Sequence, residues 1–139
     1  MSKALTYIIL TSFALSLAYS FYFQIRPAVD AAGYDKIAWN LVGGNGYKEN
    51  VSLSYDEDIA ILRVGPGYQF FLAGLYFIFG HHYQIVWVIN AILYALAALL
   101  VFLLSREVFG DERSKFLGTV SALFVAFSPD LITMSGMLM

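Results

Sequence analysis

The sequence predicts an all-α, multi-pass membrane chain with one amphipathic helix outside the bilayer, and three observations carry that prediction. Apolar residues make up 60% of the positions and charged residues 13%, with mean hydropathy +0.70, whereas soluble domains carry about 25% charged residues. Two runs, 4–25 and 83–104, contain no charged residue. At about 1.5 Å per residue each reaches roughly 33 Å, enough to cross a hydrocarbon core of about 30 Å. Between them, Tyr34, Ile37, Ala38, Leu41 and Val42 recur with the period of one helix face, which predicts an amphipathic helix over 30–42.

Composition also excludes several function classes. The net charge is −2 and no basic block stands out, so no nucleic-acid partner is expected. There is no cysteine, which removes disulfides and thiolate metal sites.

Residues 4–25 form the first transmembrane segment. Lys3 and the small-residue sequence Ala18-Tyr19-Ser20 also fit a cleaved signal peptide. Against cleavage, the run continues through Phe21, Tyr22 and Phe23 into Arg26-Pro27, an aromatic belt at an interface. Residues 26–66 are an external loop holding the helix 30–42. In that helix Asp35, Lys36 and Asn40 fall off the apolar face, while Asp30 lies one turn before Tyr34 on the same side. With its apolar face on a bilayer, the helix would hold the Asp30 carboxylate at headgroup level. Gly43-Gly44-Asn45-Gly46 ends it, because these residues tolerate positive φ.

Residues 48–62 read as polar and irregular, with Asp56-Glu57-Asp58 as solvated acids rather than a cation site. Asn50-Val51-Ser52 matches a glycosylation sequon, relevant only in a eukaryotic secretory setting. Residues 67–80 are apolar, yet about 20 Å of helix falls short of a crossing. They predict a juxtamembrane or re-entrant helix, with Pro66 at its start and Gly80 at its end. His81-His82 reads as an interfacial turn, since adjacent histidines on a helix diverge and make a poor metal pair.

Residues 83–104 are the second transmembrane segment, with Asn90 in it as a packing residue that bonds another helix. Arg106, Arg113 and Lys115 mark 105–115 as a cytoplasmic loop, which puts 26–66 on the external or periplasmic side of the cell membrane. Residues 116–128 form a third span, and Ser128-Pro129-Asp130 caps the start of a further segment, 129–139; the alternative is one kinked span to about residue 137. The sequence stops within an apolar stretch, which reads as a chain cut short.

The order Asp30-x-x-x-Tyr34-Asp35-x-Ile37-Ala38-x-Asn40-Leu41, Gly44-x-Gly46-Tyr47, Arg63-x-x-Pro66-Gly67-Tyr68 and Phe79-Gly80 resembles the amino-terminal part of multi-pass polyprenyl-phosphate-sugar glycosyltransferases. These are the GT-C fold enzymes that include protein O-mannosyltransferases and the aminoarabinose transferases of lipid A. The resemblance runs on through Val108-Phe109-Gly110 and Ser128-Pro129, so it covers nearly all of this chain but only the front of the family's catalytic domain. It implies that Asp30, the acid opening the first external loop, is catalytic. Two features depart from the family pattern. Asp30-Ala31 stands where many members have an aspartate-glutamate pair, and the sequence ends before the family's next acidic motif, for which Asp130 comes too early.

The resemblance implies transfer of a sugar from a polyprenyl phosphate to an acceptor hydroxyl. That reaction needs a base for the hydroxyl proton and cationic help for the departing phosphate. Asp30 is the expected base. Arg63 is the expected forked partner of the phosphate, with Arg26 as second candidate, and Tyr34 and Trp39 would line the sugar or lipid path. The plainer reading has Asp30 capping its helix for about 1 kcal/mol and Arg63 snorkelling to headgroups. No cofactor or metal ligand set is expected, with a divalent ion left open; the expected partners are the polyprenyl-phosphate-linked sugar and membrane lipids. The competing class is a small non-catalytic membrane protein, or an inactive fragment, whose loop binds a partner or lipid.

Overall fold

The computed structural model describes residues 3–62 and 65–138, and among them it is all-helical with no strand. The elements are α1 (Lys3–Phe23), α2 (Asp30–Val42), a short 3-10 turn (Ile59–Leu62), α3 (Pro66–Phe79), α4 (Tyr83–Phe109), α5 (Asp111–Ala126) and α6 (Pro129–Ser135). Two of them, α1 and α4, are long and apolar enough to cross a membrane, and a third span exists if α5 and α6, bent by 55° at their break, count as one. The chain divides into two compact units, one of residues 1–24 with 87–136 and one of 25–86 with 137–139.

The first unit is close-packed through small residues. Ser12, Ser16 and Ser20 form a buried stripe along α1 at four-residue spacing. Ser12 and Ser20 turn their hydroxyls back on the Ile9 and Ser16 carbonyls, at 2.9 and 2.8 Å, so each buried hydroxyl is satisfied within its own helix. Ser16 instead reaches across to the Ser135 hydroxyl of α6 at 2.7 Å. Without a hydrophobic drive between helices in lipid, such close approach and hydrogen bonding is what holds spans together. Beside the stripe, Leu5 and Ile8 pack with Phe102, Ala122 and Ala126, and Tyr94 of α4 donates to the Val125 carbonyl of α5 at 2.7 Å. Gly118 lets α5 come close enough to α4 that a Cβ there would lie 2.9 Å from the Phe102 ring and 3.2 Å from its carbonyl oxygen.

The second unit is a helical hairpin with a braced loop. Ile37 and Ala38 are fully buried in α2, and Ala38 packs with Leu72, Ala73 and Tyr76 of α3, with Val86 and with Leu138. The apolar face of α2 therefore lies on protein, where the sequence alone suggested a bilayer. Pro66 begins α3 behind Gly65 at φ 75°, and Gly80 ends it at φ 79°. Gly44, at φ 74°, follows the end of α2.

One expectation about these elements needs correction. The loop expected over 105–115 is a break at Gly110 alone: α4 runs on to Phe109, with Arg106 in its last turn, and α5 starts at Asp111. Helix formers such as Glu107 and Arg113 carry the helices through charged sequence, and Gly110, at φ 69°, supplies the one conformation that interrupts them. The stretch 48–62 is irregular up to its short 3-10 turn, as its sequence suggests, and it is braced by side chains. Asn40 donates to the Lys48 carbonyl at 2.8 Å, Lys48 Nζ to the Leu53 carbonyl at 2.6 Å, and the same ammonium lies 4.3 Å over the Tyr55 ring. Ser128 does hold the N-cap position of α6 with extended backbone, though its side chain makes no cap hydrogen bond.

Gly118→Ala should destabilise the chain by about 1–3 kcal/mol, because the Phe102 carbonyl cannot retreat. Gly74→Ala, in α3 with nothing near the added Cβ, should be neutral or stabilise by about 0.5–1 kcal/mol. Thermal unfolding of both variants in detergent micelles checks the contrast.

Candidate functional site

Three of the five residues singled out from sequence share one concavity. A cavity of about 450 Å³ is lined by Arg26, Asp30 and Tyr34 together with Ile25, Pro27, Ala28, Val29, Ala31, Met137 and Leu138. Asp30 and Tyr34 stand one helical turn apart on α2, so both reach the same wall. Arg26 comes from the segment before the helix. The walls are otherwise apolar, which strengthens any ion pair or hydrogen bond formed inside.

The backbone entering this cavity is strained. Val29 sits at φ 52°, ψ −115°, a rare conformation for a β-branched residue and one that costs about 1–3 kcal/mol. Val29 also occupies the N-cap position of α2, where it offers no side-chain oxygen. Asp30 is thus the first residue inside the helix rather than its cap, and its carboxylate lies at the positive end of the helix dipole.

Trp39 is elsewhere. Its ring stacks on the His81 imidazole, centroids 4.9 Å apart and 22° from parallel. Arg63 lies outside the described residues.

A second cluster, centred on Asp35, was not anticipated. Asp35 is 8% exposed, and three side chains converge on its carboxylate. Tyr76 of α3 donates to Oδ1 at 2.6 Å, Tyr83 at the start of α4 donates to Oδ2 at 2.9 Å, and His81 Nε2 lies 2.8 Å from Oδ1. The His81 ring stands edge-on to both tyrosines, at 4.7 and 5.2 Å. Burial, and after it the hydrogen bond to Asp35, pushes the Tyr76 hydroxyl far above the ordinary tyrosine range, so it stays a donor. The sequence did hold a faint signal, because on a helical wheel Asp35 falls only about 20° from Val42, at the rim of the apolar stripe. The three donors are not local to it.

The acids of 56–58 divide. Asp56 and Glu57 are exposed, as expected, but Asp58 is buried and is not a solvated acid. It accepts from the backbone N–H groups of Glu49, Asn50 and Ala60 at 3.0, 2.7 and 2.7 Å. Burial pushes this carboxyl up; the three N–H groups and the Lys48 charge outweigh it and hold it below its ordinary value of 3.8. Among the described residues no group of three or more histidine, cysteine, aspartate or glutamate side chains could hold a metal ion.

No protein-family model matches the chain, and no curated protein or solved structure does either.

Two outcomes follow from these carboxylates. Tyr76→Phe removes a buried hydrogen bond to a charged acceptor and should cost about 1.5–3 kcal/mol in denaturant unfolding. For Asp58 the folded carboxyl binds its proton more weakly than the unfolded one. Its stabilisation is therefore complete above the ordinary carboxylate range and is lost as pH falls through that range toward the lower folded value. Hydrogen-exchange protection of the Asn50 and Ala60 amides should drop below about pH 4, and Asp58→Asn should lower it already at neutral pH.

Proposed function

We propose that this chain forms part of a multi-pass GT-C glycosyltransferase that moves a sugar from a polyprenyl phosphate to an acceptor hydroxyl at the outer face of the cell membrane. The observation that carries this reading is the cavity in which Asp30, Arg26 and Tyr34 meet between apolar walls. A polyprenyl phosphate combines an apolar tail with an anionic head, and this cavity combines an apolar lining with a guanidinium. The resemblance of the residue order around Asp30 to the family's first external loop points the same way.

In this mechanism Asp30 takes the proton of the acceptor hydroxyl as its oxygen bonds to the anomeric carbon. The bond from that carbon to the phosphate oxygen breaks, and its electron pair leaves with the polyprenyl phosphate. The leaving group departs as a stable anion and needs charge stabilisation more than a proton. Arg26 supplies it from the cavity wall through forked N–H donors, and Arg63 is assigned the same part by the resemblance. Ile25, Pro27, Val29 and Leu138 offer the lipid chain an apolar surface. Tyr34 is assigned to the sugar. Trp39, stacked on His81, is assigned to the lipid path only by the resemblance. Arg106, Arg113 and Lys115 support a cytoplasmic placement of the α4–α5 junction, and hence an external placement of 26–66.

The test is transfer from a labelled polyprenyl-phosphate hexose in liposomes holding the protein expressed from its full reading frame. Asp30→Asn should lower turnover by about 10²–10⁴-fold with expression intact, and Arg26→Ala should raise the donor KM by about 10-fold or more. Near-normal turnover of Asp30→Asn rejects the assignment. Donor binding without transfer, indifferent to Asp30→Asn, would favour the non-catalytic lipid-binding class.

A further inference from the structure

The Asp30 cavity is built on the first turn of α2, and a helix of 13 residues packed by apolar contacts resists rotation about its axis only weakly. Apolar packing is non-directional. Hydrogen bonds are not, and they weaken steeply as the angle at the donor falls or the distance grows. On α2 three directional contacts meet at Asp35: Tyr76 from α3, His81 from the turn after it, and Tyr83 from the first position of α4 take hold of both oxygens of one carboxylate. Three donors from three points of the chain define where that carboxylate is and which way it faces.

Asp35 follows Asp30 by about 7.5 Å along the axis and about 140° around it. It stands on the same rigid rod yet is turned away from the cavity that Asp30 lines. We infer that Asp35 is the positioning residue of the Asp30 site: by pinning the rotation of α2 it sets where the Asp30 carboxylate points. The lever is short and stiff. A side-chain end about 5–6 Å from the helix axis moves by about 2 Å when the helix turns by about 20°, and a misplacement of about 1 Å can cost about 10²-fold in rate. Asp35 itself has no part in the transfer, since its oxygens are already engaged and buried. The roles differ from those of Arg26, which precedes α2 and does not turn with it.

The kinetic side of this inference rests on the reading of the cavity as a sugar-transfer site, so its test has two arms. In the liposome assay, Asp35→Asn should lower kcat by about 10²-fold while the donor KM stays within about twofold, with the thermal midpoint read in parallel. A donor KM that rises with the loss, or an unchanged kcat, overturns the proposal. The second arm needs no chemistry. The chain has no cysteine, so Asp30→Cys and Phe77→Cys can carry a nitroxide pair across the α2–α3 hairpin. The inter-label distance distribution should be narrow and should broaden when Asp35→Asn is added, whereas a label at Val51→Cys keeps its spectrum. If Asp35→Asn fails to fold, Tyr83→Phe, which removes one donor of the three, should broaden the same distribution to a smaller extent. A distribution that stays narrow in the folded variant overturns positioning whatever the assay shows. Broadening with no Asp30-dependent transfer in the parent protein upholds positioning and removes the sugar-transfer reading alone.

Discussion

A carboxylate taken out of water costs several kcal/mol unless donors replace the water it lost. Asp35 meets that condition through Tyr76, His81 and Tyr83, and much of the second unit follows from it. The Tyr76 hydroxyl is buried against the carboxylate and the Tyr83 hydroxyl partly so, the His81 ring stands edge-on to both tyrosines, and the Trp39 indole stacks on that imidazole. Tyr76 and His81 share Oδ1 while Tyr83 alone holds Oδ2, so loss of Tyr83 leaves one carboxylate oxygen without its donor from this set. It ties α2 to the end of α3 and the beginning of α4, and so gives direction to a hairpin otherwise held by Ala38, Leu72 and Ala73.

The two units solve the same problem with different chemistry. In the first, Ser12 and Ser20 on the buried face of α1 satisfy themselves on their own helix carbonyls while Ser16 bonds Ser135 of α6, and α5 approaches α4 through Gly118. Small residues and self-satisfied hydroxyls suit spans surrounded by lipid, where apolar side chains gain nothing by leaving it. In the second, polar side chains converge on one buried carboxylate. Asp58 repeats the Asp35 solution at smaller scale: one buried carboxylate gathers three backbone N–H groups and gives the irregular stretch between α2 and α3 a fixed shape.

The Asp30 cavity lies within the second unit. Its lining contains a strained Val29 and the first turn of α2, and its charged groups, Arg26 and Asp30, lie four residues apart in the chain. Strain of this kind persists only where surrounding contacts over-determine the geometry, and the Asp35 cluster on the same helix is such a set of contacts. The proposed transfer depends on the Asp30 carboxylate sharing this apolar cavity with the Arg26 guanidinium.

Hydropathy and period alone determined the long helices α1 and α4, apolar enough to cross a membrane, the helix from Asp30 to Val42, and the proline and glycine bounds of α3. Each of these depends on residues a few positions apart, and the physics that selects them is local. That Asp30, Arg26 and Tyr34 line one cavity has a related local cause: they lie close together in the chain, and one turn of helix brings Asp30 and Tyr34 to the same wall. The continuity of α4 through Arg106 to Phe109 was obscured because charge clusters signal loops only on average. The fate of Asp35 was decided by tertiary structure, since a carboxylate is read as solvent-facing until its donors are known, and Tyr76, His81 and Tyr83 lie 41, 46 and 48 positions away. Burial of an acid is a statement about its partners, and partners at that distance come together only when α2 and α3 have packed.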